Sequence, residues 1–195
     1  MITIECWDAA IPIDDYVGGL WRKHRTRFTR HLERVLIAEE LRARFAERPL
    51  RMLVLTEPYC DDSTLLVPVV WRLAREMETI ELRVARQHEY PDLAARYANH
   101  AGHPAIPVFI LLDGHGRELG ALVERPARMT ADTIAEARRF QAAHPNLPGI
   151  QRAIDRMPEE TQALLKQHLA AWRDEQFEHW AGYLLDDLAG LVERS

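Results

Sequence analysis

Two short apolar segments, RMLVLTE at 51–57 and IELRVAR at 80–86, stand on either side of a stretch with helical spacing, and this arrangement constrains the fold most. The first is a continuous apolar run, as a strand buried on both faces requires; the second alternates. Between them, Ser63 to Glu78 places Leu66, Val69, Val70, Leu73 and Met77 on an inward face. Pro68 lies within that helix, where it removes a backbone donor and predicts a kink. Strand, helix and strand in this order close a right-handed crossover between parallel neighbours.

The rest of the chain builds on that unit. A short helix is expected from about Pro91 to Ala98, and AIPVFILLD, the turn Asp113-Gly114-His115-Gly116 and RELGALVE then read as a β-hairpin. A parallel pair joined to a hairpin predicts a mixed sheet. Upstream, Pro12 to about Pro49 reads as helical, with Trp21, Phe28, Leu32, Val35, Leu36 and Leu41 recurring at three- and four-residue steps. Gly18 and Gly19 weaken its start, and Arg22, Lys23, Arg25, Arg27, Arg30 and Arg34 form a basic cluster read as a solvated face. His24 and His31 are assigned to that face. Downstream, a helix from Thr130 or Ala131 to about Ala143 is followed by the break HPNLPG. Two further helices run from about Ile150 to the end, with Pro158 in the first turn of the earlier one. Trp172, Phe177, Trp180 and Tyr183 are apolar anchors for packing on the domain or on a second copy. The expected division is a helical extension at 1–49, a central domain at 50–145 and a helical extension at 146–195.

With 195 residues, 47% of them hydrophobic and 28% charged, the chain can bury a substantial core and reads as soluble. No run approaches the roughly 20 apolar residues of a membrane span, and MITIECWDAAIPIDD lacks the pattern of a signal peptide. A formal charge of -5 argues against nucleic acid as the main partner. Two cysteines, Cys6 and Cys60, do not make a secreted disulfide framework, so a reducing, cytoplasmic setting is expected.

Chemistry concentrates in TEPYCDDSTLLVP, Thr56 to Pro68, where Cys60 stands at the junction of strand and helix. A helix N-terminus offers unpaired N–H groups and partial positive charge that favour a thiolate by roughly 0.3–1 kcal/mol. Asp61 and Asp62 oppose it by like-charge repulsion of similar order. Ser63 stands where a redox pair would carry a second thiol. It is read either as an N-cap or as a hydroxyl supporting the thiolate. Tyr59 is placed to shield the thiol or to contact a substrate.

Cys60 after the first strand, Pro68 inside the next helix and Ile106-Pro107 opening the hairpin together resemble the thioredoxin family. TEPYCDDS followed by AIPVFILLDGHGRELG is similar to its bacterial branch with helical extensions at both ends. The resemblance covers about 50–145, with the N-terminal helices included. It implies an α/β, thioredoxin-like three-layer fold with a mixed sheet flanked by N-terminal and C-terminal helices. It further implies a cis peptide before Pro107, with Ile106 and Pro107 positioning a substrate backbone against Cys60.

Ser63 departs from the dithiol pattern, because a serine cannot form the internal disulfide that releases substrate. Three readings of Cys60 remain. It exchanges disulfides as a monothiol, with a small thiol such as glutathione resolving the mixed disulfide. It forms a lasting disulfide with a client, or with Cys6 if the strand-like ITIECW folds near. Or it is an idle cysteine in a redox-inactive binding module for a protein partner. The expected partners are a protein or small-thiol disulfide and a second copy docked through the helical extensions; no cofactor is expected. His100 and His103 could join Cys60 at a metal, but plain loop histidines are the expectation, and no metal site is assigned.

Overall fold

The structure is a computed structural model that describes residues 4–99 and 102–194. Among them the strands form one five-stranded sheet in the order β1-β3-β2-β4-β5. The ranges are β1 Ile11–Pro12, β2 Leu50–Thr56, β3 Ile80–Arg86, β4 Val108–Asp113 and β5 Glu118–Val123. β2 runs parallel to β3 and antiparallel to β4, and β1 and β5 are antiparallel to β3 and β4. Central β2 has a sheet neighbour on each side and is almost wholly buried, which is why its sequence is a continuous apolar run.

The chain divides into two compact units, residues 1–126 with 181–195, and 127–180. In the first, side chains alternate across the sheet. Leu53, Leu55, Val108 and Ile110 face one way, where they pack with Cys6 and Trp7 of α1 (Ile4–Ala9) and Leu93 of α6 (Pro91–Ala95). Behind the opposite face lies α5 (Asp61–Glu76), with Leu65, Leu66, Val69, Val70 and Leu73 buried. Against α5 packs α3 (Arg22–Arg34), where Phe28 meets Trp71 at a ring-centroid distance of 5.7 Å. Helices on both faces of a mixed sheet make this an α/β three-layer fold.

The N-terminal region corrects the sequence reading. One long helix is replaced by α2 (Ile13–Gly18), α3 and α4 (Glu39–Ala43). The first break falls at Gly18-Gly19. The second falls at Val35-Leu36-Ile37, where burial alternates and Leu36 is 83% exposed. A three-residue apolar run fits a period of two as well as a helical period, and here the extended chain prevails. Trp21, expected inward, is 58% exposed. Of ITIECW, expected to be strand-like, the part from Ile4 on belongs to the helix Ile4–Ala9, and Ile2 and Thr3 lie outside the described residues.

His24 and His31, expected on a solvated face, are 3% and 0% exposed. They complete the stripe His24, Phe28, His31, Val35 that α3 presents to α5. His31 has a physical reason to be there. Pro68 sits inside α5 without an N–H, so the carbonyl of Thr64, four residues earlier, loses its helical donor. His31 Nδ1 lies 2.8 Å from that carbonyl oxygen and replaces the missing bond.

The remaining part of the first unit is the C-terminal portion of α9 (Phe177–Glu193) from Ala181 onward, with Leu184, Leu185 and Leu188 buried. Arg44, just past α4, bridges its Asp186 and Glu193 at 2.8 and 2.7 Å. In the second unit α7 (Ala127–Ala143) starts a few residues before the expected Thr130 or Ala131. α8 (Glu159–Glu175) is preceded by Pro158, which serves as its N-cap residue. Phe140, Ile150, Met157 and Leu165 form that unit's core. Gly149 has φ +66°, and a Cβ there would lie 2.7 Å from Pro158 Cδ, so the turn requires glycine.

Candidate functional site

The residues after β2 turn sharply, with Cys60 N–H donating to the Glu57 carbonyl at 3.2 Å, and α5 begins at Asp61. Cys60 is therefore the N-cap residue of α5. Ser63 is not the cap; it is a helical residue, fully buried, with its hydroxyl hydrogen-bonded to that of Thr56 on β2. Cys60 is half-buried, and its Sγ lies 3.7 Å from the carbonyl oxygen of Ile106. The Ile106–Pro107 peptide is cis. Ile106 is half-buried and Pro107 buried. The Pro107 carbonyl accepts from Glu124 N–H at 2.8 Å, and Glu124 holds a left-handed φ of 66° to make that bond. Cys60, Ser63, Ile106 and Pro107 are thus brought together.

Opposing influences act on the thiol. Burial pushes its pKa up. The nearby Ser63 hydroxyl and the N–H groups of Ser63 and Asp62 pull it back, while the Asp62 charge pushes it up again, although the Cys60 side chain makes no cap hydrogen bond to the helix. That charge is countered in turn. Arg125 Nη1 pairs with Asp62 at 2.8 Å and Arg125 Nη2 with Glu124 at 2.6 Å. Asp61 is paired with His24 Nε2 at 3.2 Å and Arg27 at 3.6 Å. His24 serves Asp61 through Nε2, and its buried Nδ1 has no hydrogen-bond partner.

Around the thiol the surface is aromatic. Tyr59 is 54% exposed, and its ring centroid lies 6.0 Å from that of Trp21, which in turn lies 5.8 Å from His24. Below, Glu57 is buried, and its carboxylate accepts from His88 N–H at 2.8 Å and pairs with His88 Nδ1 at 2.9 Å. Tyr16 of α2 is also buried, and its hydroxyl donates to the Glu57 carbonyl oxygen at 3.3 Å.

Cys6 packs on the sheet among apolar residues, and neither cysteine is in a disulfide. His103 is exposed, and His100 lies outside the described residues. Among the described residues no three His, Cys, Asp or Glu side chains are placed to hold a metal. Trp21, His24, His31, Tyr16 and Arg125 escaped the sequence reading as parts of the site. For the two histidines a signal existed, since they stand four before and three after Phe28.

No helix among the described residues is long and apolar enough to cross a membrane. No curated protein matches the chain. Among solved structures, an HIV epitope-scaffold is 20% identical with a TM-score of 0.67, and the match covers 100% of this chain and 99% of that one. A protein of unknown function from Pseudomonas aeruginosa is 22% identical with a TM-score of 0.67, covering 99% of this chain and 98% of that one. Mitochondrial thioredoxin 3 from Saccharomyces cerevisiae is 16% identical with a TM-score of 0.32, covering 48% of this chain and 86% of that one. The family model described as Thioredoxin matches residues 10–138, more than half of the chain. The chain belongs to the thioredoxin family.

Proposed function

We propose that the chain carries out thiol–disulfide exchange of a monothiol kind at Cys60. The Cys60 thiolate attacks one sulfur of a substrate disulfide, forming a mixed disulfide and releasing the other sulfur as a thiolate. A small thiol such as glutathione then attacks the substrate sulfur of that mixed disulfide. Cys60 leaves as the thiolate, and the new disulfide joins substrate and small thiol. Ser63 takes no covalent part, because it has no sulfur to offer. The observation that carries the reading is the sulfur itself. It is half-buried on the N-cap residue of α5, with the Ile106 carbonyl 3.7 Å away and the cis Ile106–Pro107 peptide beside it. Ile106 and Pro107 would align the substrate backbone, and Trp21 and Tyr59 would contact its apolar side chains. A reducing compartment suits this chemistry.

A second reading, a redox-inactive binding module for a protein partner, draws on the same site. Burial holds the thiol pKa up, and the exposed Trp21–Tyr59 pair is an apolar platform in its own right. Incubation with glutathione disulfide followed by peptide mapping separates the two. Exchange predicts a glutathione adduct on Cys60 that reduced glutathione removes and that Cys60→Ser abolishes. A native wild type that takes no adduct overturns the exchange reading and leaves the binding module.

A further inference from the structure

Positive charge is concentrated in α3, although the chain as a whole is acidic. The 13 residues of this helix hold six arginines and lysines against one glutamate, in a chain whose formal charge is -5. Lys23, Arg27, Arg30 and Arg34 follow one another at steps of four, three and four, which puts them on one stripe of the helix. That stripe starts at the thiol. His24 and Arg27 meet Asp61, in the first turn of α5, at 3.2 and 3.6 Å, and Trp21, just before α3, lies 6.0 Å from Tyr59 between ring centroids. From there α3 leads away along α5, with His31 at the Thr64 carbonyl. The carboxylates near the thiol are matched by cations: Asp61 by Arg27, Asp62 by Arg125 and Glu57 by His88. Arg22 and Lys23 are exposed, and among the described residues neither has a carboxylate partner. At about 1.5 Å per residue, Lys23 to Arg34 spans about 17 Å, which an extended peptide crosses in about five residues. A small disulfide at Cys60 reaches only the two rings and the first cations.

We propose that the disulfide exchanged by Cys60 is carried on an acidic polypeptide segment. An apolar side chain next to the substrate cysteine rests on the exposed Trp21 and Tyr59 rings, and carboxylates beyond it run along the stripe from Lys23 to Arg34. In the step itself the Cys60 thiolate bonds one substrate sulfur and the other leaves as a thiolate, so no further oxidant or reductant is consumed. Exposed cations steer an anionic partner over about a Debye length, so their main effect falls on the rate of encounter and is screened by salt. The inference rests on the exchange reading of Cys60 and names the class of its substrate.

The test uses the full chain and three peptide disulfides, each a symmetric dimer of a peptide with leucine beside its cysteine and glutamates, lysines or serines beyond. Timed quenching and peptide mapping follow the adduct on Cys60. Each rate is divided by that of the same peptide with 2-mercaptoethanol, which removes the peptide's own reactivity. At low salt the glutamate peptide should react about tenfold faster than the lysine peptide, with the serine peptide between them. In about 0.5 M salt the gap should close to within about twofold. Arg22→Glu combined with Lys23→Glu should bring the glutamate-to-lysine ratio to about one or below. Both peptides meet the same thiol, so the ratio is blind to a change in Cys60 itself. Trp21→Ala should slow the leucine-bearing glutamate peptide about threefold relative to one with glycine in its place. Equal normalised rates at low salt, a preference for lysine, or a glutamate preference that survives the double charge reversal overturns the proposal while leaving exchange at Cys60 intact. Absence of a Cys60 adduct with every peptide overturns the exchange reading as well, so the two failures are told apart. A dimer that the same reversal dissociates assigns the face to a second copy, and an oligonucleotide that it releases assigns the face to nucleic acid; either result overturns the proposal.

Discussion

The crossover at residues 50–86 and the α2–α3 layer at 13–34 contribute to the site in different ways. The crossover supplies the thiol, the helix N-terminus and the buried Thr56–Ser63 pair, and its backbone is complete apart from the loose ends it creates. The α2–α3 layer finishes those ends. His31 bonds the carbonyl that Pro68 orphans, His24 and Arg27 take the Asp61 carboxylate, Tyr16 donates to the Glu57 carbonyl, and Trp21 stands beside Tyr59. A reactive group can thus be set by one element and governed by another that carries no reactive atom. If this division holds, changes in the crossover remove chemistry, and changes in the layer alter stability or titration.

The largest effect is expected from the crossover itself. Cys60→Ser should abolish adduct formation with glutathione disulfide, whereas Cys6→Ala should leave it close to wild type, as intact-mass spectra would show. Adduct loss in both variants would break the distinction.

Next comes the layer. His31→Ala leaves the Thr64 carbonyl buried without its donor and opens a cavity, at a cost of about 2–4 kcal/mol in urea unfolding. Pro68→Ala restores the helical N–H to that carbonyl. In its background, loss of His31 should cost about 1 kcal/mol less, and strict additivity of the two changes would refute the substitution of donors.

A smaller effect is expected from the charges at the thiol. Asp62→Asn removes a charge that raises the Cys60 pKa and should speed thiolate-dependent alkylation about two- to threefold below neutral saturation. Arg125→Ala, which leaves Asp62 without its guanidinium, should slow it by a similar factor. Equal rates in the two variants would show that the pair does not act on the thiol.

The gentlest effect is in pH. Cys6 and Cys60 both have pKa values raised by burial. Above about pH 8.5 the unfolded chain therefore loses thiol protons that the folded one retains, and stability falls as pH rises until the folded thiols ionise. Cys6→Ala should make the fall shallower, and a stability that rises with pH over this range would contradict the sign.

Much of this was legible in the sequence. RMLVLTE and IELRVAR are strands within a residue of their expected bounds, because a buried run and an alternating one are direct imprints of sheet position. The hairpin and the 144–149 break are signalled by glycine and proline. The N-terminal layer was not legible for two reasons. Val35-Leu36-Ile37 has no period of its own, and histidines among arginines look polar although their spacing matches Phe28 and Val35. Serine prefers the N-cap, one of the two roles the sequence allows Ser63, yet the turn through Pro58 starts the helix two residues earlier and carries Ser63 inside. Pairing of Asp62 with Arg125 joins residues far apart in sequence, and no local pattern announces it.

The most direct measurement maps glutathione adducts on Cys60 and Cys6 in the same sample, folded and then unfolded in urea. In the folded protein the adduct should accumulate on Cys60 and be nearly absent from Cys6, and in urea the two should react alike. Equal occupancy in the folded state, preference for Cys6, or no adduct at Cys60 would contradict the assignment of Cys60 as the nucleophile.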